Sequence, residues 1–237
     1  MEGNLDNILI GAEDMRDNQQ RAKYAVQIFW VIVVVNVVAV ASGYLQLDLL
    51  ELIRDNGDYT DAQLDANDTR QTVVGLIQTL VYVSSMVLFV QWFRRAYANL
   101  ERAGINIEHQ ESMALWGFAI PIISLFRPFT IAREIANGYV AAIRRSEPDY
   151  INPISKPLMG VWWTLYLITN VFGQIAFRSI FKDETVEQMI TSSQAYILSD
   201  FLDIPAALIT LNMILQISKT EQHYANIRLN QAVKLDQ

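Results

Sequence analysis

FWVIVVVNVVAVA, residues 29–41, holds one polar side chain, Asn36, in an otherwise apolar run. Extended to Tyr24 and Leu47, it reaches the roughly 20 residues that a helix needs to cross a bilayer. Trp30 and Tyr44 stand near its ends, where aromatic rings favour the headgroup level. The run does not alternate as a barrel strand would, so its backbone has to be satisfied as a helix. Three further blocks follow: VVGLIQTLVYVSSMVLFVQWF within Thr72–Phe93, LMGVWWTLYLITNVFGQIAFRSIF over Leu158–Phe181, and YILSDFLDIPAALITLNMILQIS over Tyr196–Ser218. The expectation is an all-α, polytopic membrane protein with four transmembrane helices. Trp92, Trp162 and Trp163, at span ends, fit an interfacial belt.

Composition agrees. The 237 residues are 52% hydrophobic and only 18% charged, below the ~25% of an average soluble domain. A net charge of −7 without a basic tail speaks against a nucleic-acid partner. The chain has no cysteine, so it offers no disulfide, thiolate ligand or Cys nucleophile. Its first twenty residues are polar and acidic and lack the apolar core of a cleavable signal. The first span is therefore expected to be its own insertion signal.

Flanking charge sets the expected orientation. Arg16, Arg21 and Lys23 precede the first span, and Lys219, Arg228 and Lys234 follow the last. The 94–157 loop carries Arg94, Arg95, Arg102, Arg127, Arg133, Arg144, Arg145 and Lys156. The loop after the first span is instead rich in aspartate, from Asp48 to Asp68. Both termini (1–23 and 219–237) and the 94–157 loop are placed in the cytoplasm, with residues 24–218 as one membrane domain. The acidic loop and residues 182–195 lie outside. Within the acidic loop, Asp55-Asn56-Gly57 predicts a turn and Thr60-x-x-Gln63 a capping box. A helix is expected from near Asp61 to Gly104. The aspartate spacing does not fit a calcium loop and reads as a solvated helix face.

ALWGFAIPIISLFRPFTIARE, residues 114–134, lies between the second and third spans. Its apolar part is too short to cross, so 113–126 is expected to re-enter from the cytoplasmic side or lie flat. Pro121 should interrupt a helix there, and Pro128 suits the first turn of the next. That next helix, 129–145, is amphipathic and is expected at the membrane surface or under the bundle. Arg127 is read either as an interfacial anchor or as a buried arginine pairing with Glu134 or an anionic ligand.

The order WFRRAYANLERAG, Trp-Gly-x-x-x-Pro, RPF-x-x-x-x-E and P-x-x-x-x-W-W resembles a bacterial membrane family, the domain of unknown function 4328. The matching positions are Trp92, Arg94, Arg95, Asn99, Leu100, Trp116, Pro121, Arg127, Pro128, Glu134, Trp162 and Trp163. The resemblance covers roughly residues 75–220 and implies a multi-helix integral membrane domain, with no activity attached.

Polar groups inside spans are costly and invite a functional reading. Asn170, Gln174 and Arg178 form one stripe on the third span, and Asp200 and Asp203 share a face of the fourth. Arg178 is expected to pair with Asp200 or Asp203. The resulting seam is either a helix-packing clasp or a water-accessible cavity for an ion, a proton or a small solute. Enzymatic readings find little. The only histidines, His109 and His223, fall in cytoplasmic segments, which excludes a bis-histidine haem in the membrane and disfavours a zinc site. No hydrolase, metalloprotease, phosphate-loop or dinucleotide motif is present. Asp200 and Asp203 sit on one helix, a poor arrangement for an aspartyl mechanism. The expectation is a multi-pass protein of the bacterial inner membrane without metal or cofactor. Its surroundings are the lipid bilayer and other membrane proteins, or copies of itself in a homo-oligomer. The leading function is a non-catalytic structural or accessory subunit; the alternative is a channel or transporter using the seam.

Overall fold

The computed structural model describes residues 15–120, 122–179 and 185–235, without the side chains of 156, 175–179 and 235. All regular structure among them is helical. Helix α1 runs Gln19–Arg54 and α2 Asp61–Arg102. Between them, Asn56 takes a left-handed φ of 58°, which asparagine tolerates better than most residues. The Thr60 capping box forms as read: Thr60 N–H donates to Gln63 Oε1 at 2.8 Å, and Gln63 N–H to Thr60 Oγ1 at 3.3 Å. Gly104, with φ 71°, closes α2 where a left-handed residue is needed. The short helix α3 (Met113–Ala119) and a 3₁₀ turn (Ile123–Leu125) occupy the apolar segment. Helix α4 spans Arg127–Ile143, α5 Lys156–Ser179 and α6 Val186–Leu235. A capping box that the sequence reading passed over, Thr185 with Gln188, opens α6.

Among the described residues, three helices are long and apolar enough to cross a membrane: α1, α2 and α6. Four were expected, and α5 is the one that does not meet this measure. Helix α5 falls short because Trp162, Trp163, Thr164, Tyr166, Thr169, Asn170 and Gln174 dilute its apolar side chains. The last residues of that expected span, 180–181, lie outside the described residues, as do Pro121 and the side chain of Arg178.

By contacts the chain divides into two units. Unit 1 comprises Met1–Val26, Met86–Gly160 and Leu211–Gln237. Its core gathers Trp92, Phe93, Tyr97 and Leu100 of α2, Ile131, Ile135, Tyr139 and Ile143 of α4, and Ile214 and Ile217 of α6. Helix α4 is therefore a core helix of unit 1, its nine buried residues recurring at helical spacing. Pro128 is buried in its first turn, where the missing N–H costs nothing.

Unit 2 comprises Gln27–Ser85 and Val161–Thr210. Here α1 turns Ile32, Asn36, Ala39 and Ser42 inward, while Val34, Val37 and Val38 stay exposed. Gly43 lets α6 approach closely: a Cβ there would stand 2.6 Å from Ile197 Cγ1. Trp92 in unit 1, and Trp162 and Trp163 in unit 2, are buried. These indoles pack in cores instead of forming an interfacial belt, and the Nε1 of Trp162 donates to Thr210 Oγ1 at 3.2 Å.

Candidate functional site

In unit 2 a group of polar side chains sits among apolar ones. Asn36 is fully buried on α1. Gln78 Nε2 of α2 donates to Asp200 Oδ1 at 2.9 Å and lies 3.4 Å from Asn36 Oδ1. The Tyr82 hydroxyl lies 2.8 Å from Asp203 Oδ2 and 3.0 Å from Asn36 Oδ1; with one proton it donates to one of them at a time. Thr169 of α5 lies on the Asp203 side, its hydroxyl donating to the Tyr166 carbonyl of its own helix at 3.3 Å. Each aspartate thus has at least one neutral protein donor. The expected seam is corrected in membership: Asn170 and Gln174 are exposed, and the Asn170 amide bonds the Tyr166 carbonyl of its own helix at 2.7 Å. One residue turns a helix by about 100°, so with Thr169 toward Asp203, Asn170 is carried away. Asn36, Gln78 and Tyr82 take the place of the third-span stripe.

Unit 1 holds a second network, around Glu221 of α6, which is 6% exposed. Its carboxylate accepts from Asn99 Nδ2 at 2.6 Å and Asn18 Nδ2 at 3.1 Å, and the Tyr139 hydroxyl lies 3.3 Å away. Asn99 also pairs with the Arg16 peptide, donating to its carbonyl at 2.7 Å and accepting its N–H at 3.1 Å. Burial pushes the Glu221 carboxyl above its ordinary range, while the bonds from Asn99, Asn18 and Tyr139 pull the other way. Burial, then the Glu221 charge, raises the Tyr139 phenol. The network ties the segment before α1 to α2, α4 and α6.

A third group lies where the family motif converges. Arg127 donates to His109, with Nη1 2.9 Å from Nδ1, and His109 Nε2 is 3.5 Å from Glu134 Oε1. Glu134 Oε2 accepts from the Tyr97 hydroxyl at 2.7 Å and the Glu108 N–H at 3.0 Å. Burial first, and the bond to Glu134 next, raise the Tyr97 phenol. Arg127 is half-buried and meets His109, which stands between it and Glu134, so the direct Arg127–Glu134 pairing does not form. Gly117 makes room: a Cβ there would lie 2.9 Å from Arg127 Cγ. Glu108, His109 and Glu134 bring ligand-type atoms within 4.8 Å of one another. The guanidinium already against His109 makes this a poor cation site.

The remaining motif residues separate. Arg94 pairs with Glu111 at 2.9 Å, Arg95 is half-buried, and Trp116 is 54% exposed. Sequence reasoning missed Glu221, Asn18, Tyr82, Tyr97, Tyr139 and His109 as network members. Asn99, Arg127 and Glu134 carried a signal through the motif, and Asn36, Asp200 and Asp203 through their place in apolar blocks.

Compared with known families, the chain matches the model described as "Domain of unknown function (DUF4328)" over residues 55–219, more than half its length. No curated protein and no solved structure matches it.

Proposed function

We propose, for a chain that belongs to the DUF4328 family, a non-catalytic integral protein of the bacterial inner membrane, a structural or accessory subunit of a membrane assembly. The surface of α2 carries this reading. Its most apolar window is 11% buried, and Leu76, Leu80 and Val83 are 59–68% exposed. So open an apolar face is stable against lipid or against helices of other subunits. Helix α5 joins as a fourth, weaker crossing, supported by the Trp162–Thr210 bond to α6. Both termini and residues 94–157 face the cytoplasm, in line with the placement of Lys and Arg. Residues 113–126 re-enter or lie flat on that side, bringing the exposed Trp116, Ile122, Leu125 and Phe126 to lipid. The donors on Asp200 and Asp203 favour a clasp over a solute path.

The test is extraction in a mild detergent, native mass determination and identification of co-purifying proteins. A stoichiometric complex with other membrane proteins is the expected result. A closed ring of identical chains that passes ions overturns the accessory reading.

A further inference from the structure

Unit 1 bears an open cleft of about 550 Å³ whose wall carries five arginines, Arg16, Arg21, Arg94, Arg95 and Arg102, and one carboxylate, Glu111. Glu111 is already committed, to Arg94 at 2.9 Å and Arg102 at 3.9 Å. Among the described residues, Arg16, Arg21 and Arg95 have no ion pair. Burial, then the charges of Arg21, Arg102 and Arg16, pull the Arg95 guanidinium below its ordinary pKa. Guanidinium groups so gathered repel one another unless an anion enters.

The wall also says which anion. All five cations are arginine and none is lysine. The planar guanidinium fork matches phosphate oxygens bidentately, as a lysine ammonium does not. Met86, Val87, Val90 and Leu115 make much of the rest of the wall apolar. An inorganic anion would leave those side chains unused, whereas a phosphate joined to hydrocarbon uses both. We propose that this pocket binds a phosphate ester, with the head of an anionic phospholipid as the form that also engages the apolar wall. The lipid source rests on the membrane reading above; the phosphate chemistry does not.

The test uses the full chain in mild detergent, with thermal stability and native mass as readouts. Phosphatidylglycerol, phosphatidylcholine and inorganic phosphate are added separately. Phosphatidylglycerol is expected to stay bound and raise the melting temperature, and zwitterionic phosphatidylcholine to do neither. Arg95→Gln and Arg21→Gln should each weaken phosphatidylglycerol about tenfold, the effect of losing one charge-assisted contact. Arg133→Gln, an exposed position outside the wall, should leave binding unchanged. Removing Arg95 relieves repulsion, so that variant should fold; Arg21→Gln, on a different helix, decides the matter if it does not. Protection by inorganic phosphate that both variants lose, without any effect of phosphatidylglycerol, keeps the anion site and overturns the lipid source. Phosphatidylglycerol binding that both variants retain, or no response to either anion, overturns the proposal.

Discussion

Glu221 is a carboxylate kept from water by residues of the N-terminal segment, α2 and α4. Its side chain follows Ser218-Lys219-Thr220, so in sequence it reads as the start of a solvated tail. Asn99 belongs to a motif, but the residue it serves lies 122 positions away, a pairing that no local pattern encodes. The direction of its pKa fixes a pH dependence. Folding raises the carboxyl above its unfolded value of 4.5, so the native state binds the proton more tightly. That contribution is fully present below the unfolded pKa and is lost as pH rises through the folded one. Glu221→Gln, which keeps an acceptor and carries no charge, should flatten this decline. Glu221→Leu strands the Asn18 and Asn99 donors and should cost on the order of 3 kcal/mol. Melting curves of the detergent-solubilised protein from about pH 5 to 8 check both outcomes, since this window holds the titration of a raised carboxyl. A Glu221→Gln profile as steep as that of the unchanged protein defeats the assignment.

Among the elements, helix ends were legible and helix phases were not. The turn at Asp55-Asn56-Gly57 and the Thr60–Gln63 box are local chemistry, and both form where the residues put them. The face that α5 turns toward α6 depends on packing: Trp162 reaches Thr210, while Asn170 is exposed and bonds its own helix. Aromatic residues at span ends were ambiguous for a related reason: an indole suits a headgroup layer and a core equally well, and burial decided for the core at Trp92 and Trp162. The polar inlay of unit 2 makes its own test between α2 and α6. Tyr82→Phe removes the phenol from Asp203, and Asp203→Asn removes the charge. If the pair is a clasp, the double-mutant cycle should give a coupling of roughly 0.6 kcal/mol, the average for interhelical polar contacts in a bilayer. Each single variant should lower stability. An Asp203→Asn protein of unchanged stability that has lost an ion or solute flux would move the inlay from clasp to conduction.

For the whole molecule, the open question is parity. Composition marked the apolar blocks, but α5 is too mixed for composition to say whether it crosses. If α1, α2, α5 and α6 all cross, the termini share a side. If α5 does not, α6 carries the C-terminal segment to the opposite side. Charge decides between these. Arg16, Arg21 and Lys23 flank α1's apolar block, and Lys219, Arg228 and Lys234 follow that of α6. Three crossings would put one of these basic groups outside, against the cytoplasmic preference of Lys and Arg near span ends. The absence of cysteine makes the test clean, because each introduced thiol is the only one in the chain. Gln20→Cys and Asn226→Cys report the two ends, Asp58→Cys the acidic turn and Ser124→Cys the short apolar segment. All four positions lie among the described residues, and Gln20, Asp58 and Asn226 are exposed. In intact cells a membrane-impermeant maleimide should label Asp58→Cys alone; after permeabilisation it should label Gln20→Cys and Asn226→Cys as well. Labelling of Asn226→Cys from outside, with Gln20→Cys protected, would mean three crossings and a helix α5 that stays in the cytoplasm. Labelling of Ser124→Cys only from outside would reverse the side assigned to residues 113–126.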